Sequence, residues 1–232
     1  MAAVTKPAGS MPHAVYVWEA PVRLWHWVMM FAMFVLIATG FFIGVPPPTV
    51  PGEASENFLF GYIRFAHFAA AYVFTVMLLM RAYWAIVGNR HAREMFLVPL
   101  YMLQPSWWRS FFRVLGHYLF IRPKNDWHLG HNQLAMAAMF GMYLLGSIFM
   151  IVTGFALYGE GLGRESWAYS LFSGWVIPLF GQSQDVHTYH HLGMWYLVWF
   201  TIVHLYFVIR EDITSGLTVV SSMIGGWRDR KN

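Results

Sequence analysis

The sequence contains no cysteine among its 232 residues. Without thiols the chain forms no disulfide, ligates no iron–sulfur cluster through thiolates and attaches no c-type haem covalently. If its chemistry needs an iron–sulfur cluster, a partner protein must carry that cluster.

Charged residues are also scarce, at 11% against about 25% in a soluble domain, while 58% of the residues are hydrophobic. Several apolar runs exceed the roughly 20 residues that cross a bilayer. We therefore predict an integral membrane protein without a large soluble domain. The first fifteen residues lack the basic-then-apolar layout of a cleaved signal peptide, and we interpret residues 1–15 as a short flexible tail.

Four apolar segments are long enough to span a membrane, and we number them spans one to four. Their predicted limits are about 21–43, 60–87, 132–157 and 186–209. Pro21 suits the first turn of a helix, and VPPPTVPGE ends span one because a helix cannot continue through it. The predicted fold is an all-α four-helix transmembrane bundle over 16–209, followed by a tail over 210–232.

Basic residues are concentrated in two segments outside the spans. These are Arg90, Arg93, Arg109, Arg113, Arg122 and Lys124 in the segment 88–130, and Arg210, Arg228, Arg230 and Lys231 at the C-terminus. The segments 44–59 and 158–185 hold five acids and one basic residue. Positive charge marks the cytoplasmic side, so both termini are predicted to be cytoplasmic. Within 95–121, Pro99 and Pro105 break the apolar run, and its second half predicts an amphipathic helix on the inner membrane face.

Four histidines lie inside the predicted spans: His26, His67, His190 and His204. Ionisable side chains are costly in a membrane and usually functional. In the predicted orientation, His26 and His204 lie in the cytoplasmic half, whereas His67 and His190 lie in the outer half. A lone membrane histidine often only joins two helices through a hydrogen bond, but these four form two pairs at matched depths.

The helical period of span four favours His190 over its neighbours as a ligand. Residues 14 apart, such as His190 and His204, differ by roughly 40° around the axis and lie about 21 Å apart along it. His191 and His187 lie roughly 140° and 100° from the face of His204. We expect these two histidines at the membrane interface, near a haem propionate or a partner protein.

Two stacked histidine pairs suit two b-type haems, because neutral imidazole is a good iron ligand. With both axial positions filled by protein, the expected chemistry is electron transfer rather than binding of a substrate to iron. Gly40, Gly193 and the alanines 69–71 would leave space for a flat macrocycle. A weak repeat, IATG at 37–40 and IVTG at 151–154, indicates either close helix packing or more such space.

The stretches RLWHWVMMFAMFVLIATG (23–40) and HTYHHLGMWYLVWFTIVH (187–204) closely resemble the two signature stretches of one family. This is the b-type cytochrome subunit of membrane-bound nickel–iron hydrogenases, a di-haem cytochrome b. The first stretch fits the family pattern Arg-x-x-His-Trp…Thr-Gly, and the second fits His-His-x(3)-Trp…His. The order and spacing of the spans agree over nearly the whole chain, including GHNQLA at 130–135. His187 stands where Arg or Ser is expected, which leaves the proposed ligands unaffected.

This resemblance implies an electron-transfer subunit of a hydrogen:quinone oxidoreductase in the bacterial inner membrane. His67 and His190 would hold an outer haem b, and His26 and His204 an inner one; we assign no catalytic residue. The implied partner is a periplasmic hydrogenase small subunit with iron–sulfur clusters and a C-terminal membrane helix, and through it the large subunit. Electrons would pass to a quinone, either menaquinone or ubiquinone. The protein would thus belong to a lipid-embedded hetero-oligomer, with no nucleic-acid partner.

A quinone site is predicted near the inner haem, where DWHLGHNQ (126–133) precedes span three. Its polar candidates are His128, His131, Asn132 and Gln133. The alternative is an ordinary helix start, with Asn132 or Asp126 as the cap. Arg23 and Arg210 would either pair with haem propionates or meet anionic lipid headgroups.

Three other functions compete with this interpretation. A free-standing cytochrome b561-like quinone oxidoreductase would have no hydrogenase partner. A metal-ion transporter would line one continuous path with histidines and carboxylates, whereas the spans hold almost no carboxylate. A purely structural anchor would not need four histidines at matched depths.

Overall fold

The computed structural model describes residues 14–48, 53, 57–122, 130–215 and 218–229. Within them, four long apolar helices form a bundle, as predicted. Their limits are Ala20–Gly44, Leu59–Val87, Gln133–Leu162 and Ser183–Ser215. Spans three and four extend beyond the predicted limits because helical structure continues into the polar segments beside them. Each of the four is long and apolar enough to cross a membrane.

Span three contains a π-helical segment. An α-helix over Gln133–Ala138 passes into a π-helix over Met139–Leu144 and returns to an α-helix over Leu145–Leu162. The π-helix brings Tyr143 and Leu144 into the interior, where both are buried. Such segments inside α-helices often occur at functional sites.

Short helices occupy the segments between the spans. Arg90–Arg93 and Val98–Met102 follow span two, and the predicted amphipathic helix is confirmed over Pro105–Tyr118. The segment 158–185, for which the sequence indicated no helix, contains a π-helix over Tyr169–Ser173 and an α-helix over Gly174–Phe180. A last short helix covers Val219–Gly225.

The two ends of the described chain pair with each other. A strand over Ala14–Tyr16 runs antiparallel to a strand over Trp227–Asp229, with Ala14 opposite Asp229. Residues 14 and 15 of the predicted tail therefore belong to a sheet, and the rest of that tail lies outside the described residues. The pairing places both ends of the described chain at one end of the bundle, which we call the strand end. An even number of spans requires this arrangement.

Polar contacts hold spans one and two together at the strand end. The Glu19 carboxylate, just before span one, accepts hydrogen bonds from Trp84 Nε1 at 2.9 Å and from the Asn89 backbone N–H at 2.8 Å. The Asn89 side chain donates to the Val17 carbonyl at 2.9 Å. Val17, Trp18 and Trp25 are buried beside these contacts. The beginning of span one, which carries His26, is thereby fixed against the end of span two.

Candidate functional site

His26 and His204 face each other near the strand end. Their ring centres are 6.5 Å apart, and the ring planes make an angle of 48°. Phe200, one turn before His204, stacks on the His204 ring at 5.6 Å and 23°. Within the described chain, His26 Nδ1 is buried without a hydrogen-bond partner. Metal–imidazole bonds are about 2 Å long, so a single metal ion fits between two rings at this separation.

His67, in the opposite half of the bundle, is oriented by a threonine of span one. Thr39 Oγ1 donates to the Val35 carbonyl at 2.6 Å, and His67 Nδ1 lies 2.9 Å from the same oxygen. A hydroxyl group has one proton, and here the carbonyl takes it. His67 Nδ1 must therefore carry a proton and donate it to Thr39. The lone pair of the neutral ring is then on Nε2.

His190 is oriented in the same way by a threonine of span three. Thr153 Oγ1 donates to the Phe149 carbonyl at 2.8 Å, and His190 Nδ1 lies 2.8 Å from that oxygen. The argument from the single hydroxyl proton again places the ring proton on Nδ1 and the lone pair on Nε2. His67 and His190 thus have the same tautomer, each set by a different neighbouring helix.

The glycine after each threonine makes room for the histidine ring. A Cβ atom built at Gly40 would lie 3.4 Å from His67 Cε1, and one at Gly154 would lie 3.2 Å from His190 Cε1. The Thr-Gly repeat therefore orients two histidine rings and makes room for them. The sequence analysis interpreted this repeat either as close helix packing or as space for a flat macrocycle, and neither interpretation included contact with histidine. Gly193 instead packs against span three, because a Cβ there would lie 2.5 Å from Met150 Sδ.

This arrangement fits the axial ligation of haem iron. A metal-bound histidine usually donates its other ring N–H to a nearby acceptor, which fixes its tautomer and its orientation. Thr39 and Thr153 supply that acceptor for His67 and His190. Phe68 of span two contacts Tyr158 of span three, with ring centres 4.9 Å apart. This contact connects the helix that carries His67 with the helix that carries Thr153. Among the described residues, no cluster of three or more His, Asp or Glu forms another metal site.

His187 and His191 make different contacts. His187 is exposed, and its Nδ1 bonds to the Ser183 carbonyl of its own helix at 3.1 Å. His191 Nε2 accepts a hydrogen bond from Trp195 Nε1 at 3.1 Å, and the His191 ring lies beside Gly44 at the end of span one. The hydrogen bonds of these two rings thus differ from the threonine contacts of His67 and His190.

One of the predicted quinone residues, His131, contacts a partly buried carboxylate. Glu94 accepts from His91 Nδ1 at 2.7 Å, from His131 Nδ1 at 3.0 Å and from the His131 backbone N–H at 2.9 Å. Asn132 caps span three by accepting from the Ala135 backbone N–H at 2.8 Å, which is the helix-start role weighed above. Gln133 Oε1 is buried without a partner in the described chain. His128 lies outside the described residues.

The charge of Glu94 is held by these contacts. Burial alone raises the pKa of Glu94, but hydrogen bonds from His131 and His91 outweigh that effect and lower the pKa to about 2. A carboxylate with so low a pKa remains ionised at neutral pH. It fixes the loop before span three against the loop after span two, and it holds the His131 ring through Nδ1.

Three arginines differ in their surroundings. Arg23 donates to the Ile224 carbonyl, and Arg210 lies over Tyr118 and Phe120, at 4.8 and 5.2 Å from their ring centres. Arg81, which the sequence analysis passed over, is buried inside the bundle on span two. The rule that an ionisable residue within a span marks a functional site would have identified it.

Comparisons with known proteins agree on one family. Residues 17–226 match the family described as prokaryotic cytochrome b561. A protein of Azotobacter vinelandii is 60% identical over 93% of this chain and 88% of its own length. One of Cupriavidus necator is 56% identical over 97% and 91%, and one of Escherichia coli K12 is 49% identical over 93% and 91%. The first two are named probable Ni/Fe-hydrogenase B-type cytochrome subunit, and the third probable Ni/Fe-hydrogenase 1 B-type cytochrome subunit.

Proposed function

Because the chain belongs to the prokaryotic cytochrome b561 family, we propose that it transfers electrons from a nickel–iron hydrogenase to membrane quinone through two b haems. The chain is a multi-pass b-type cytochrome, and four finer assignments depend on this identity. These assignments are the number of haems, their ligands, the partner and the acceptor.

The observation that carries the proposal is the pair of threonine-bound histidines. His67 and His190 each have Nδ1 bonded to a threonine hydroxyl, at 2.9 and 2.8 Å, so each presents the Nε2 lone pair. We assign these two as ligands of an outer haem, and His26 and His204 as ligands of an inner haem. The haem supplies reversible one-electron chemistry at its iron when bound. With two protein ligands to each iron, the chain transfers electrons and binds no substrate at the metal.

Span four would connect the two haem sites. His190 and His204 are 14 residues apart on one helix, which separates them by about 21 Å along its axis. The helix Ser183–Ser215 is continuous between them. One rigid helix would thus hold a ligand of each haem and fix the distance between them.

The names of the relatives support a hydrogenase partner. Three proteins that cover nearly the whole chain are named as B-type cytochrome subunits of Ni/Fe-hydrogenases. We assign the small subunit, with its iron–sulfur clusters and C-terminal membrane helix, as the electron donor on the periplasmic side of the bacterial inner membrane. The absence of cysteine is consistent with a donor cluster held by the partner.

The quinone acceptor is assigned to the strand end, which the charge distribution places on the cytoplasmic side. His131 is the candidate proton donor, because Glu94 holds its Nδ1 at 3.0 Å and thereby orients the ring. The Asn132 side-chain oxygen caps span three, and Asn132 stays a candidate through its amide nitrogen, which lies 3.4 Å from the Tyr118 hydroxyl. Gln133 and His128 remain candidates from the sequence.

The rival functions account for less of this arrangement. A metal-ion transporter would need a chain of ligands between the two histidine pairs, and the described residues contain no cluster of three or more His, Asp or Glu. A purely structural anchor does not require two matched Thr–His hydrogen bonds. A free-standing quinone oxidoreductase would use the same haem site, so only the partner distinguishes it.

The test is hydrogen-driven quinone reduction in membranes that contain the assembled complex. His190→Ala should abolish this activity, while hydrogen oxidation with a soluble dye acceptor is retained. The control is Thr188→Ala, on the same helix, where the side chain is exposed and donates to the Gln184 carbonyl of its own helix. If His190→Ala retained both activities, the ligand assignment would be wrong. Affinity purification through this chain should also recover the small subunit, and its absence would favour the free-standing oxidoreductase.

A further inference from the structure

Arg81 is a buried cation on span two. Its side chain is 3% exposed and lies between two aromatic rings. The guanidinium carbon is 5.2 Å from the ring centre of Trp25 and 5.4 Å from that of Phe96. The rings contact the guanidinium group but provide no oxygen acceptor for its N–H donors.

Two of the three guanidinium nitrogens are unpaired. Arg81 Nε and Nη1 are buried without a hydrogen-bond partner, and no carboxylate in the described chain lies within ion-pair distance. The Glu94 carboxylate is already occupied by His91 and His131. Burying a charge without a paired anion is strongly unfavourable, and aromatic faces replace only part of the lost hydration. The arrangement therefore calls for an anion at the edge of the guanidinium group.

Two hydroxyl groups of span three are also buried. Tyr143 Oη and Ser147 Oγ are buried, one turn apart, and lack hydrogen-bond partners among the described residues. The Tyr143 ring packs edge-on against Trp25, with centres 5.8 Å apart. The Tyr143 hydroxyl also lies within electrostatic reach of Arg81. A guanidinium group near a tyrosine hydroxyl, with a serine hydroxyl one turn further along the helix, offers donors of the kind that a carboxylate binds.

This cluster lies beside the strand-end histidine pair. Trp25, which covers Arg81, immediately precedes His26. Tyr143 packs against Phe200 at 5.5 Å, and Phe200 in turn stacks on the His204 ring. A continuous set of ring contacts thus connects the unpaired donors with a proposed haem ligand.

We propose that Arg81, Tyr143 and Ser147 form a carboxylate-binding site, and that its ligand is a propionate of the inner haem. The inference rests on the proposed function, because it needs a haem between His26 and His204. The propionate would neutralise the buried cation. The cation would keep that propionate ionised. It would also raise the reduction potential of the inner haem above the value expected with an ionised propionate that has no neighbouring cation.

The experiment uses the purified protein with haem carrying ¹³C at its propionate carboxyl carbons. Redox-difference infrared spectra report the labelled carboxylate, and potentiometric titration at several pH values reports each haem. Arg81→Gln should shift the labelled band, lower the inner-haem potential and make that potential depend on pH, because an unpaired propionate titrates. Arg81→Lys should restore part of each effect. Arg64→Gln is the control, since Arg64 is an exposed arginine on the same helix in the opposite half.

Unchanged infrared bands and unchanged potentials in Arg81→Gln would overturn the proposal and leave Arg81 as a packing residue between Trp25 and Phe96. If Arg81→Gln does not accumulate, Tyr143→Phe tests the carboxylate-binding site instead. It retains the cation and removes one hydroxyl, so it should shift the labelled band, and an unshifted band would overturn the site. A wild-type protein that contains no haem would instead refute the proposed function itself.

Discussion

Replacing Thr39 by valine tests whether the threonine sets the histidine tautomer. Valine keeps the shape of threonine and removes the hydroxyl that accepts the His67 Nδ1 proton at 2.9 Å. Without that acceptor, the ring loses its preference for a lone pair on Nε2. Binding iron through Nε2 would then leave a buried N–H donor unsatisfied.

The size of the effect follows from that unsatisfied donor. Leaving a buried donor unpaired costs about 1–3 kcal/mol, which corresponds to about a 5- to 150-fold loss of affinity. Mutations of groups that hold a metal ligand typically cost 10- to 100-fold in affinity. We therefore expect Thr39→Val to bind the outer haem about 5- to 150-fold more weakly, and Thr153→Val to do the same through His190.

The assay is a titration of haem into the haem-depleted protein in detergent micelles, followed by absorption. Thr39→Ser keeps the hydroxyl and should bind haem like the wild type. Thr75→Val is the matched control, because Thr75 on span two donates only to the Ala71 carbonyl, at 2.8 Å. The reasoning is refuted if Thr39→Val and Thr75→Val bind both haems with equal affinity.

Three further predictions concern single side chains. Gly154→Ala places a Cβ 3.2 Å from His190 Cε1, so the histidine ring must move. The haem content, measured by the pyridine haemochrome assay, should then fall towards one haem per chain. A content of two haems per chain would contradict the close packing. His26→Ala should remove only the inner haem, and loss of the outer haem alone would reverse the pairing. The pKa of Glu94 lies at about 2, below the ordinary value of 4.5, so its contribution to stability is complete above about pH 4.5 and disappears as the pH falls towards 2. Glu94→Gln should therefore cost about 3 kcal/mol at neutral pH and little near pH 2 in thermal unfolding; an equal cost at both pH values would contradict the charge-based account.

The spans and the ligand candidates could be predicted because their signals are local. Twenty apolar residues in a row identify a membrane helix, and helical periodicity alone separates His190 from His191 by face. The strand pairing of Ala14 with Asp229 could not be predicted in this way. Its partners lie at opposite ends of the chain, and three-residue strands leave too short a pattern to detect.

The finer parts of the site depend on contacts between helices. Thr39 and Gly40 appear in the sequence as one half of a weak repeat, but their role appears only when span two places His67 against them. Arg81 stands near the end of span two, where a long side chain commonly reaches the interface. The fold instead buries it between Trp25 and Phe96, and no sequence pattern shows that its donors lack partners.

The number of haems in the purified protein tests the central claim most directly. A pyridine haemochrome assay combined with a reduced-minus-oxidised absorption spectrum should show b-type haem at about two per chain, because each haem needs two of the four histidines. One haem per chain would contradict the assignment of two histidine pairs. A preparation that contained no haem, after haem loss during purification had been excluded, would contradict the electron-transfer function altogether.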